Sequence, residues 1–176
     1  MKWKGLFIEP VPYLFERLQS NYSFRSGFYF ENSAVNDGSR QVFYWVDPSV
    51  KEEYPDLPSW FDQVNSFKET HIYGVPEVRE ILLKYRRQTK IEGITFEKVL
   101  EKYGIANFDL LHIDVEGYDW NVLSQVNLSK YKPKVILFEH KCLSEEQKSS
   151  AINFLSPYYS LKDIGADMFC IRKSLQ

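Results

Sequence analysis

Two rhythms of apolar residues alternate along the 176-residue chain, and the switches between them outline its elements. Gly5 to Pro10 (GLFIEP) is a short apolar run closed by an acid and a proline, the pattern of a buried strand. Pro12 to Asn21 carries Tyr13, Leu14, Arg17 and Leu18 at helical spacing, and Pro12 suits a first helical turn, where its missing N–H costs nothing. Gly27 to Val35 reads as a second strand and Asn36-Asp37-Gly38 as a turn. Gln41 to Val46 is β-branched and aromatic and is expected as a third, antiparallel partner. Asp47 to Val75 breaks the rhythm with Pro48, Pro55 and Pro58. It reads as a long functional loop or lid rather than a linker, because Trp60, Phe61 and Phe67 need something to pack on. Pro76 to Gln88 is expected as a short amphipathic helix, with Tyr85-Arg86-Arg87 on its solvated face. Thr95 is placed to cap a helix from Phe96 to Tyr103 that Gly104 closes.

The second half is the more regular. Phe108 to Ile113 is almost wholly apolar and runs into Asp114-Val115-Glu116-Gly117, followed by a helix from Tyr118 to Val126. Lys134 to Phe138 is another buried strand, ending at Glu139-His140. Ser144, with Glu145 and Glu146 behind it, opens a helix to Leu155. Tyr159 to Ile164 and Met168 to Arg172 make two strands around a Gly165-Ala166-Asp167 turn. Strands alternating with helices and closed by a hairpin predict one α/β domain, a mostly parallel doubly wound sheet with an antiparallel C-terminal edge.

Composition narrows the function. Apolar residues at 44% and charged residues at 26% describe an ordinary globular domain, and 176 residues suffice for one such domain. A formal net charge of −2 offers no footprint for nucleic acid. The longest apolar runs, such as Val135 to Phe138, are too short to span a bilayer, and Met1 to Lys4 leads directly into a strand, so a cytoplasmic protein without membrane contact is expected. Cys142 and Cys170 lie far apart with no motif spacing, which points to a reducing compartment and to no zinc site.

Ligands of such sheets bind beyond the carboxyl ends of the strands, and three expected strands end in acids: Glu9, Asp114 and Glu139. Glu9 stands where a carboxylate can accept two ribose hydroxyls, or simply cap the next helix. If the strand continues through Glu116, Asp114 and Glu116 point to one side. Such a pair can hold a metal ion, the amino end of a cofactor or an acceptor hydroxyl, or it can be a capped strand-to-helix turn to which Asp119 adds charge. His140, at a strand end, is a candidate general base. His112 is expected as a hydrogen-bonded core residue, and His71 has no evident partner.

These motifs resemble one family. LFIEPVPYLFERLQSN, ENSAVND and FDLLHIDVEGYDWNVL followed by KPKVILFEH are similar to segments of the FkbM methyltransferases, over almost the whole chain apart from residues 47 to 90. The resemblance implies an S-adenosylmethionine-dependent O-methyltransferase with a Rossmann-like class I sheet, acting on a small-molecule acceptor such as a sugar or secondary-metabolite hydroxyl. It implies that Glu9 binds the cofactor ribose, that Asn32 to Val35, including Ala34, lie near the adenine, and that Asp114 and Glu116 face the methyl-transfer region. The family's glycine-rich loop belongs roughly 20 residues before the ribose acid, and only eight residues precede Glu9. A first strand and loop absent at the N-terminus are therefore expected. The chain would be a fragment, a mis-started product, or a protein that has lost the cofactor. A metal-assisted sugar-nucleotide enzyme using Asp114 and Glu116, and a non-catalytic methyltransferase remnant, are the competing readings. The acceptor and the oligomeric state are not encoded in any motif.

Overall fold

The computed structural model describes residues 3–69, 71 and 76–173. Strand β1 (Gly5–Ile8) pairs in parallel with β2 (Phe28–Glu31), Gly5 opposite Phe28 and Ile8 opposite Glu31, and helix α1 (Pro12–Tyr22) makes the crossover that a parallel pair requires. Phe7 stacks on Tyr22 and Phe30, fastening the helix to the pair. The single strand expected over Gly27 to Val35 is two. The Asn32 amide donates to the carbonyls of Glu9 and Pro10, which closes the first ladder, and the chain resumes as β3 (Ala34–Val35).

Strand β4 (Gln41–Val46) is antiparallel as expected, but its partner comes from the region read as a helix. Of the structured segments that follow, α2 (Val50–Glu53) is short and α3 (Pro76–Lys84) stops at Lys84 instead of Gln88. Arg86–Ile91 forms β5, with Gln41 opposite Ile91 and Val46 opposite Arg86. The sequence RRQTKI has no apolar alternation, so pairing with β4 and not local pattern makes it a strand. Its exposed middle explains why periodicity is silent there. Strand β6 (Gly93–Ile94) then pairs in parallel with β3, and α4 (Phe96–Lys102) begins at Thr95, whose hydroxyl accepts the Lys98 N–H.

Four strands make the largest sheet: β7 (Leu110–Ile113), β8 (Val135–Glu139), β10 (Asp167–Arg172) and β9 (Tyr159–Asp163), in that spatial order. β7 and β8 are parallel, with α5 (Asp119–Leu123) between them, and the other two pairs are antiparallel. Helix α6 (Glu145–Leu155) opens with a complete Ser144–Gln147 capping box. The chain is thus mixed α/β with open sheets. In place of one mostly parallel sheet, the described residues show one four-stranded and three two-stranded sheets, with parallel and antiparallel pairs in equal number. Among the described residues β1 and β7 each have one hydrogen-bonded neighbour. β7 is accordingly not buried on both faces: Leu110 and His112 are exposed, which corrects the core position expected for His112.

Two hydrophobic clusters hold these pieces. One gathers residues of α4, β7, α5, β8, α6 and β10 around Ile136, Leu123 and Leu155, all fully buried. The other joins Val46, Val50, Leu57, Phe61, Val64 and Leu82. The segment expected as a loop or lid is therefore largely a packed layer with its own core. Phe67 packs between Phe43 and Tyr118. Residues 70 and 72–75 of that segment lie outside the described residues. No helix of the described residues is long and apolar enough to cross a membrane.

Candidate active site

The chain leaves β7 at Ile113 and turns at once. Glu116 has φ +53° and Gly117 φ +83°, two successive left-handed residues. For glutamate this costs about 1 kcal/mol, and the surroundings hold it there. Asp119 is fully buried and accepts the N–H groups of Val115 (3.2 Å) and Gly117 (3.1 Å). The Ser66 hydroxyl donates to the Glu116 carbonyl at 2.9 Å. A Cβ on Gly117 would lie 3.2 Å from both the Cys142 carbonyl and the Lys68 ammonium, so only glycine fits without displacing them. The extended geometry expected through Glu116 is thus broken. Its carboxylate swings to His71 instead, with Oε2 2.6 Å from Nε2. His71, expected to be without a partner, is 8% exposed and bound to this turn. Arg86 secures the same loop by donating to the carbonyls of Lys68 (2.9 Å) and His71 (3.2 Å), far from the solvated helix face expected of it.

Parallel pairing sets Ile113 opposite Phe138, and beyond it Asp114 comes near enough to Glu139 for its charge to act on that carboxyl. Asp114 is exposed as a residue, yet the protein crowding its carboxyl raises its pKa, and the Glu116 charge raises it further. Burial raises Glu139 first; Glu116 and Asp114 add to this, while a hydrogen bond from Cys142 opposes it. Burial pushes Asp119 up to about 7, against its two backbone hydrogen bonds and with Glu139 and Asp114 adding. Oε2 of Glu139 is buried with no hydrogen-bond partner among the described residues. The raised carboxyls of Asp114, Glu139 and Asp119 gather at one turn, and a cation there relieves the charge they place on one another.

Glu9 and Asn32 come together at the ends of β1 and β2 through the Asn32–Glu9 carbonyl bond. Glu9 Oε1 accepts the Val11 N–H at 2.8 Å, just ahead of the first turn of α1. Burial pushes its pKa up to about 7, with Asp62 adding. Ala34 is buried in β3. Asp62 itself is buried and paired to Arg17 at 2.6 Å, so α1 and the 47–69 layer meet beside Glu9. His140 is placed elsewhere. It lies 3.6 Å from Asp163 beside a hollow of about 300 Å³ between β8 and α6, which Lys148 also lines. The structure therefore joins Asp114, Glu116 and Glu139, adds His71 and Cys142, and sets His140 in another neighbourhood. Asp119 and Arg86 escape a sequence reading. The first looks like a helix-start charge, and the second acts only through carbonyls brought to it by β4–β5 pairing.

Comparison with known proteins gives one match: the model of the methyltransferase FkbM domain covers residues 1–162. No curated protein and no solved structure matches the chain.

Proposed function

The chain belongs to the FkbM methyltransferase family, and from that premise we propose that it transfers a methyl group from S-adenosylmethionine to a hydroxyl oxygen of a sugar or secondary metabolite. The observation that carries the reading is the convergence of Asp114, Glu116 and Glu139 on the turn after β7, held by the buried Asp119. The residues present fit the cofactor chemically. A sulfonium is a cation, and this carboxyl cluster is one whose mutual repulsion a cation relieves. Glu9 uses Oε1 on Val11, leaving its second oxygen for a ribose diol. Asn32 and Ala34 would border the base.

When bound, S-adenosylmethionine supplies a methyl carbon activated by the sulfonium. The chain's own residues prepare the acceptor. Asp114 is exposed and its pKa is raised, so its carboxylate is a stronger base towards a hydroxyl proton than an unperturbed aspartate. Glu116 is fixed by His71 and holds the charge beside it. Asp119 keeps the turn shut and touches no substrate. His140, against Asp163, is not used in this scheme.

Titration calorimetry with S-adenosylhomocysteine tests cofactor binding. Wild-type protein should bind it. Glu9→Gln, which keeps an acceptor for Val11, should weaken binding on the order of tenfold, about 1.4 kcal/mol. Asp114→Asn should bind the cofactor within a few-fold of wild type but lose methyl transfer to any accepted hydroxyl by at least a hundredfold. No binding by the wild-type chain, or full turnover by Asp114→Asn, would overturn the proposal.

A further inference from the structure

Three potential metal ligands from three distant parts of the chain meet at one point. A ring nitrogen of His71, a carboxylate oxygen of Glu116 and the thiol sulfur of Cys142 all lie within 4.8 Å of one another. We infer that His71, Glu116 and Cys142 form a zinc-binding centre that clips His71 to the turn after β7 and to the segment after β8. Ligands at about 2.0–2.3 Å from a tetrahedral zinc ion stand about 3.3–3.8 Å apart, and the three atoms, all within 4.8 Å of one another, are close enough to reach that arrangement by side-chain rotation. The His71–Glu116 hydrogen bond, now 2.6 Å long, opens in the process, and the ion takes the place of its proton.

The donor set selects the metal. One sulfur, one imidazole nitrogen and one carboxylate suit zinc; magnesium and calcium take oxygen ligands. Cys142 and Cys170 form no disulfide, so the Cys142 sulfur can bind as a thiolate. Ion binding releases its proton to solvent. A Cys142 thiolate and the Glu116 carboxylate together balance the charge of a divalent ion. Glu139 interacts electrostatically with both His71 and Glu116 and hydrogen-bonds Cys142, and its buried Oε2 lacks a partner among the described residues. The Lys68 ammonium near Gly117 offsets one of these charges. The ligands are also braced from behind. Arg86 holds the His71 carbonyl, Ser66 holds the Glu116 carbonyl, and Gly117 packs against the Cys142 carbonyl, so the loop is set for the ion before it arrives. Cysteine spacing could not reveal the centre, because its other two ligands are 26 and 71 residues away in sequence.

Cobalt(II) titration of metal-stripped, full-chain protein tests this independently of methyl transfer. A thiolate-to-cobalt charge-transfer absorption should appear and saturate at one equivalent. It should persist in Cys170→Ser and vanish in Cys142→Ser, while His71→Ala should weaken cobalt binding at least tenfold. One equivalent of zinc should displace the cobalt and abolish the band. Should Cys142→Ser fail to fold, X-ray absorption of the zinc-loaded wild type decides, with one sulfur among nitrogen and oxygen ligands expected. No saturable band, a band that survives in Cys142→Ser, or a zinc shell without sulfur overturns the centre and leaves the methyltransferase reading standing.

Discussion

Remove the carboxylate of Asp119, and the N–H groups of Val115 and Gly117 lose their acceptor at a turn that already carries a left-handed glutamate. That carboxyl titrates in a useful range. Burial raises it from 3.8 to about 7, so between those values the folded chain binds more protons than the unfolded chain. Its contribution is therefore fully present at low pH and declines as pH rises towards 7, by on the order of 2–4 kcal/mol. Glu9, also raised to about 7, acts with the same sign. Carboxyls held low oppose this only in more acid solution; Glu31 is one, where Lys102 and Tyr103 outweigh burial. Urea melts from pH 5 to 7.5 should show stability falling, and Asp119→Asn should flatten the slope while costing about 1–3 kcal/mol at pH 5 through the lost acceptor. A wild-type slope of the opposite sign rules this account out. At this scale the sequence announces Asp114 and Glu116 by their position after an apolar run. It says nothing of His71, whose partner is set by the φ of Glu116 and not by spacing.

Elements were legible where their own residues determine them. Thr95 and Ser144 mark helix starts because capping is local, and both side chains make the expected bonds. β7 and β8 show as apolar runs. β5 does not, because its strand character is lent by β4 across some 40 residues of intervening chain. β3 and β6 are shorter still, and their pairing rests on one glycine. A Cβ at Gly93 would meet the Asn36 side-chain oxygen at 1.9 Å and the Ser39 carbonyl at 2.3 Å, contacts no side chain can make. Asn36 cannot move aside cheaply, since it is fully buried, accepts from Gly38 and donates to Ser39. Gly93→Ala should destabilise the protein by about 2–4 kcal/mol, whereas Gly104→Ala, with nothing within 4 Å, should cost only the strain of its positive φ, about 1 kcal/mol. Thermal melts of the two variants side by side give the ranking, and a Gly93→Ala variant as stable as Gly104→Ala would show that β3 and β6 do not pair this closely.

Across the whole molecule, the family assignment was readable because its most diagnostic stretch is contiguous, from Phe108 to Leu123. The division into separate sheets was not, because ladder neighbours depend on which edges meet in space. The two hydrophobic clusters follow a simpler rule: each is drawn from one continuous stretch, 96–170 and 46–82. Contiguous cores can open separately. Hydrogen exchange should therefore find its slowest amides in β8 and β10, while the β4, α2 and α3 amides exchange through a smaller opening that leaves the large sheet intact. Equal protection in both regions would mean that the molecule unfolds as one unit. His71 and Glu116 meet across the boundary between these stretches. A ligand gripping both should slow exchange in 46–85 and leave β8 unchanged, so occupancy of the site can be timed from the order in which deuterium enters the chain.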